Sequence, residues 1–318
     1  MSKIRAVVGL GAGIVLMATP GLAQTPPPQP GHTGATGAQA GNQTSSQTGN
    51  QPNSAPAQAA AKLALGLQYI QQGQVDQAIV AFRQATALNP KFSPAHYNLG
   101  LALRQQGQLQ AAASSFYQAI QSDPSFSMSY ANLGAALLEG GNYQQAQDYL
   151  ERAIQLEPNL ALAHYNMGLV KQQQGNLAEA ITEFRKAMNL STNAAEPAYH
   201  LGLLYLQQRQ PKQAADAFQK ALAMNPNYPE AHYSLGTVWY GSGNLDEALK
   251  AFRRSAESNP NYPNAYYGAG LVFLHQGKYA DAQRVLQYAR DLFNAQRNTQ
   301  WANSAAQLLQ QVQSAASR

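Results

Sequence analysis

One glycine every 34 residues constrains this chain more than any other feature. Gly66, Gly100, Gly134, Gly168, Gly202, Gly236 and Gly270 share a single register. A second glycine series runs Gly73, Gly107, Gly141, Gly175, Gly243 and Gly277, with Arg209 in its gap. Alanines follow at Ala78, Ala112, Ala146, Ala180, Ala214, Ala248 and Ala282. Four residues beyond each comes a bulky side chain: Phe82, Phe116, Leu150, Phe184, Phe218, Phe252 or Leu286. Prolines close most units, at Pro90, Pro124, Pro158, Pro226 and Pro260, while Thr192 and Asn294 break that series. A fixed period of this length describes a stack of like units, each burying its apolar face on its neighbours.

Each unit reads as two helices. In Ser93–Phe126, Ser93 is a candidate cap and Pro94 suits a first turn. His96, Leu99, Gly100 and Leu103 form one helical stripe, and Leu109, Ala112, Phe116, Ala119 and Ile120 form a second. Gln105-Gln106-Gly107-Gln108 makes the turn between them, and Pro124 stops the second helix. Small residues at Gly100 and Ala112 allow close approach, with Phe116 filling the space beside them.

This pattern resembles the tetratricopeptide repeat (TPR). The segments Ala95-His96-Tyr97-Asn98-Leu99-Gly100, Gly175-Asn176-Leu177-Ala178-Glu179-Ala180 and Ala221-Leu222-Ala223-Met224-Asn225-Pro226 carry the likeness. It covers seven units: 59–92, 93–126, 127–160, 161–194, 195–228, 229–262 and 263–296. The resemblance implies an all-α fold, a right-handed superhelical solenoid of antiparallel helix pairs whose first helices line a concave groove. It also implies a protein or peptide partner and no catalysis. Residues 297–318 leave the repeat, and Trp301, Ala305, Leu308, Leu309 and Val312 at helical spacing predict a capping helix. Trp301 is expected to pack there.

The N-terminal residues belong to a different class. Residues 1–23 read as an export signal, with Lys3 and Arg5 ahead of the apolar run Ala6–Ala18 and small residues at Gly21 and Ala23 before a cut at Gln24. The expected location is the periplasm or cell envelope, or outside the cell. Membrane attachment is expected only if that signal stays uncleaved. Residues 24–58, rich in Pro, Gln, Gly, Ser and Thr, read as a disordered spacer.

On the first helices, a stripe opposite the core is expected to face the groove. It holds an amide series, Asn98, Asn132 and Asn166, which could pair with an extended peptide backbone or bond to a neighbouring helix. Beside it run Tyr97, Tyr165, Tyr199, Tyr233 and Tyr267, interrupted by Ala131. One turn later come Leu101, Leu169, Leu203 and Leu271. Groove ligand contacts are therefore expected from Tyr97, Asn98, Leu101, Asn132, Tyr165, Asn166, Leu169, Tyr199, Leu203, Tyr233 and Tyr267. The basic clamp that many TPR chaperone cofactors use for acidic tails is absent, since Met128, Leu162, Glu196 and Glu230 occupy its positions. An extended neutral or apolar segment is the expected ligand. A glycan is the alternative, in a carrier or assembly factor for an envelope polysaccharide or pilus. A further alternative is an accessory subunit of an enzyme.

Charged residues make up 12% of the chain, about half the usual share, and the net charge is only +5, which argues against nucleic acid as partner. There is no cysteine, so disulfides, thiolate metal sites and thiol nucleophiles are excluded. His96, His164 and His232 recur on the core stripe of alternate units and read as packing residues. No zincin, nucleophile-elbow or phosphate-loop motif occurs. No catalytic residue, cofactor or metal is expected. Lys171 stands out in a slot that other units fill with Tyr69, Leu103, Leu137, Tyr205, Trp239 or Phe273. Its stem is expected to pack while the amine reaches solvent.

Overall fold

The computed structural model describes residues 54–191 and 193–317, so the export segment, most of the spacer and Thr192 lie outside it. Among the described residues the fold is all-helical. The helices are α1 (Ala55–Gln71), α2 (Val75–Leu88), α3 (Ser93–Gln105), α4 (Leu109–Ser122), α5 (Ser127–Glu139), α6 (Tyr143–Leu156), α7 (Ala161–Gln173) and α8 (Leu177–Leu190). They continue as α9 (Glu196–Gln207), α10 (Pro211–Met224), α11 (Pro229–Gly241), α12 (Leu245–Ser258), α13 (Pro263–His275), α14 (Tyr279–Ala295) and α15 (Thr299–Ala316). The chain divides into two compact units, one ending at Asn132 and the other beginning at Leu133.

A left-handed residue makes each hairpin. Gly107 has φ 73°, and its N–H and that of Gln108 bond back to Arg104 and Leu103 at 2.9 Å. This is a Schellman closure, which satisfies the last carbonyls of α3. Arg209 fills the glycine gap by adopting φ 58°, a conformation that costs an L residue about 1–2 kcal/mol.

The 34-residue glycine series has a steric cause. A Cβ built on Gly100 would stand 2.6 Å from the Phe116 ring, and one on Gly236 would stand 2.7 Å from Phe252. Gly66, Gly134, Gly168, Gly202 and Gly270 each meet the bulky residue sixteen positions later in the same way. Those bulky residues are buried, as is the alanine series beginning at Ala78, so each hairpin closes on one large side chain against one bare backbone.

The joints between hairpins carry a second recurrent device. His96, His164 and His232 each donate from Nε2 to the carbonyl of the closing proline six residues earlier, Pro90, Pro158 or Pro226, at 2.9 Å. Tyr266 does the same from Oη to Pro260 at 3.1 Å. A carbonyl that follows a helix end thus gains a partner. His164 is fully within the core, whereas His96 and His232 are half-buried. At the α8–α9 joint this register holds Ala198, which has no ring to donate, and Ser191 Oγ instead accepts from Ala194 N at 3.2 Å.

Two expectations need correction, and a third is met in part. The spacer does not reach residue 58: α1 starts at Ala55, with Ser54 Oγ accepting from Ala57 N at 3.4 Å. Ser93 does not cap α3; its hydroxyl donates to the Ala119 carbonyl of α4 at 3.0 Å. Trp301 packs on one face only, stacked on Phe293 at 5.9 Å and edge-on to Tyr267 at 5.5 Å, while 41% of it stays exposed. Asn298, through Oδ1 at 3.3 Å from Trp301 N, caps α15. That helix covers the apolar side of α14, where Leu308, Leu309 and Val312 meet Ala282 and Leu286.

Candidate functional site: the first-helix faces

In the unit ending at Asn132, the face expected to be open is closed. Tyr97 is 2% exposed and Asn98 and Asn132 are 4% and 3% exposed. The Asn98 amide donates to the Pro94 carbonyl of its own helix at 2.8 Å. The Asn132 amide donates to Met128 O at 2.9 Å and to Tyr97 Oη at 3.3 Å, while its Oδ1 accepts from Arg104 at 3.4 Å. Burial pushes the Tyr97 hydroxyl up to about 12, against the opposing pull of Asn132 and Arg104. Phe126 and Phe116 enclose its ring at 4.9 and 5.9 Å. Tyr97, Asn98 and Asn132 are thus turned inward, contrary to their placement on an exposed stripe, and only Leu101 of the expected set is half open here.

The unit beginning at Leu133 is built differently. Asn166 is also buried, at 4% exposure, and its Nδ2 has no partner. Tyr165, Leu169, Tyr199, Leu203, Tyr233 and Tyr267 are all half-buried, with one side on the core and the other outside. Tyr165, Leu169, Tyr199 and Leu203 pack against the cluster centred on Phe184, Leu201 and Phe218. The register of the asparagines passes to His200, Ser234 and Gly268. His200 stacks on Phe184 at 5.2 Å and meets Tyr165 and Tyr199 edge-on at 5.7 and 5.8 Å. Its buried Nδ1 has no partner, and burial lowers the ring's pKa to about 4. Gly268 leaves room for the Phe252 ring, 2.6 Å from where a Cβ would stand.

Two tyrosines absent from the expected set join this face. Tyr228 and Tyr262 lie in the joints before α11 and α13, each directly ahead of a proline. Their rings stand 5.0 Å from Tyr199 and 5.8 Å from Tyr233 respectively. Burial, and after it Tyr199, Glu196 and Glu230, holds the Tyr228 hydroxyl well above the ordinary tyrosine range. Burial raises Tyr262 too, against a hydrogen bond from Asn264, with Tyr199 and Glu230 adding to the rise. Tyr199 is raised first by burial, lowered by Ser234 and raised again by Glu230. All these hydroxyls are neutral at ordinary pH and offer both a donor and an acceptor. The sequence signal that would have found the joint pair is the Asn-Tyr-Pro triplet repeated at 227–229 and 261–263.

The Lys171 stem packs as expected, but its amine meets a carboxylate instead of reaching out alone. The side chain is 14% exposed, and its Nζ lies 2.9 Å from Glu179. Among the described residues no helix is long and apolar enough to cross a membrane, and no three His, Asp or Glu side chains gather closely enough to hold a metal ion.

Comparison with known proteins decides the family. A sequence profile described as tetratricopeptide repeat matches residues 63–125, 199–265 and 240–296, and a second matches 159–227. This chain belongs to the tetratricopeptide repeat family. Further TPR profiles match 136–175 and 115–148. The TPR protein YrrB, solved with "an unusual peptide-binding site", is 28% identical; the match covers 61% of this chain and 99% of YrrB, with a TM-score of 0.50. The Cut9–Hcn1 assembly of the APC/C is similar at 22% identity and TM-score 0.61, over 68% of this chain and 43% of that one. PilF from Pseudomonas aeruginosa is similar at 23% identity and TM-score 0.57, over 65% of this chain and 94% of its own. The last two likenesses concern the fold. This chain spans less than half the length of the chain it matches in the Cut9–Hcn1 assembly. No curated protein matches. TPR proteins are protein-interaction scaffolds and in general non-catalytic, and this chain has that fold.

Proposed function

We propose that this TPR protein is an exported, non-catalytic scaffold of the cell envelope that holds an extended, neutral or apolar polypeptide segment along its first helices. One observation carries the proposal. In the unit beginning at Leu133, Tyr199, Leu203, Tyr233 and Tyr267 are half-buried, so each is held firmly by the core yet still presents surface to a ligand. Tyrosine and leucine pre-positioned in this way offer contact area at small entropic cost. The likeness to YrrB, whose printed description includes a peptide-binding site, supports a polypeptide as the ligand class. The charged n-region, apolar run and small residues at Gly21 and Ala23 support export.

Hydrogen exchange of the full chain with and without pooled, end-capped neutral decapeptides tests the binding half. Protection is expected on α9, α11 and α13. Protection confined to the second helices, or absent altogether, would remove the proposal. Cell fractionation with N-terminal sequencing tests the location. Recovery of a chain starting at Gln24 outside the cytoplasm is expected, and an intact Met1 form in the cytoplasm would contradict it.

A further inference from the structure

From α9 to α14 the charges are sorted by helix. The first helices α9, α11 and α13 contain no lysine or arginine, and their only carboxylates are Glu196 and Glu230. Over this stretch lysine and arginine instead sit on the second helices α10, α12 and α14 and in the turns at Arg209 and Lys278, and several are already matched locally. Lys250 pairs with Glu247 at 2.7 Å, Arg254 with Glu257 at 3.1 Å and Arg284 with Asp281 at 2.8 Å. A chain of net charge +5 therefore turns a negative face outward here.

Glu196 and Glu230 have neither an ion pair nor a side-chain hydrogen bond among the described residues, although both are half-buried. Half-burial removes part of a carboxylate's water without supplying a counter-charge. Each glutamate stands three residues before a tyrosine, Tyr199 or Tyr233, which places the two on one side of the helix. Tyr228 and Tyr262 complete the surroundings from the joints, with ring centroids 5.0 and 5.8 Å from those tyrosines. Both carboxylates act electrostatically on Tyr228, and Glu230 acts on Tyr262 as well, so the charges and rings share one locality. Negative carboxylates among the negative faces of aromatic rings form a site for a cation.

We propose that the polypeptide segment held by this face carries a lysine or arginine side chain that seats among Tyr199, Tyr228, Tyr233 and Tyr262, with Glu196 and Glu230 as its counter-charges. The proposal rests on the reading of the first helices as a peptide-binding face, and adds one basic residue to an otherwise neutral ligand.

The test uses the full chain and fluorescein-labelled, end-capped decapeptide pools of Ala, Ser and Gln with a fixed central residue: Arg, Lys, citrulline or Glu. Anisotropy titrations should show the Arg and Lys pools binding about tenfold or more tightly than the citrulline and Glu pools. The double variant Glu196→Gln/Glu230→Gln should erase that preference, with circular dichroism melting confirming its fold. The Arg-to-citrulline comparison needs no variant, so it stands even if the variant misfolds. Equal binding of Arg and citrulline pools overturns the cation site while leaving the peptide-binding face in place. An Arg preference that survives the double variant overturns its assignment to the two glutamates. If no pool binds, the cation site and the peptide-binding reading both fall.

Discussion

The first-helix face around Tyr97 and the one around Tyr199 start from the same repeat and reach opposite ends. Around Tyr97 the polar groups are spent on each other: Asn132 bonds to Tyr97 and Arg104, and Asn98 to its own helix. Around Tyr199 the tyrosines are left half open, and two glutamates have no counter-charge. The difference comes from a few substitutions in a constant frame. Asparagine gives way to His200 and Ser234 in one register, and Phe126 gives way to Tyr228 and Tyr262 in another. A repeat array can thus make one stretch structural and another receptive without altering its backbone period.

Truncation should separate the two faces most strongly. Tyr97→Ala empties a fully enclosed site and should cost about 3–5 kcal/mol, whereas half-buried Tyr233→Ala should cost about 1–2 kcal/mol. Urea midpoints measure both, and equal losses would erase the distinction between closed and open faces.

Acid should act on the second face through His200. Its folded pKa of about 4 lies below the ordinary 6.5, so the unfolded chain takes up the proton first as pH falls. The neutral ring's contribution, about 3 kcal/mol, is complete above pH 6.5 and is lost as pH drops towards 4. His200→Phe should flatten that part of the stability profile between pH 7 and pH 4.5. An unchanged acid slope in this variant would mean the buried Nδ1 is not what titrates.

The hydrogen-bonded pairs should differ next. Asn132→Ala strands a buried tyrosine hydroxyl and should cost about 1–3 kcal/mol, while Ser234→Ala beside half-open Tyr199 should cost about 0.5–1 kcal/mol. Thermal melts of the two variants would show whether Tyr199 does have water as a substitute partner. The smallest effect is expected at the turn. Arg209→Gly relieves a left-handed arginine and should stabilise by about 0.5–1 kcal/mol once glycine's extra unfolded-state entropy is deducted.

The hairpins were legible in the sequence because their packing is local. Gly100 and Phe116 meet across a single turn, so the steric demand repeats with the chain period. The face was less legible for a physical reason. A helical wheel treats α3 alone and puts Asn98 and Tyr97 outside, but Tyr97 is covered from α5, where Asn132 reaches it from 35 residues away. Ser93 looked like a cap because its preferred acceptor, the Ala119 carbonyl, belongs to another helix. Tyr228 and Tyr262 escaped notice because they belong to the joints, where no helical period marks them. The sorting of charge between first and second helices from α9 onward was readable from composition alone once helix bounds were known.

The histidine bonds at the joints also make the array self-reporting. A carbonyl oxygen only accepts, so His96 and His232 must each carry their proton on Nε2 while the joint is closed, whereas His164 is held at both nitrogens, by Pro158 O and by Glu183 Oε2 at 2.6 Å from Nδ1. The joints at His96 and His232 therefore each hold one fixed tautomer, and nitrogen-detected NMR of the imidazoles would read them separately. A joint that opens would release its ring to exchange between tautomers while the others stay locked. Local unfolding along the solenoid could then be followed joint by joint, with no label added.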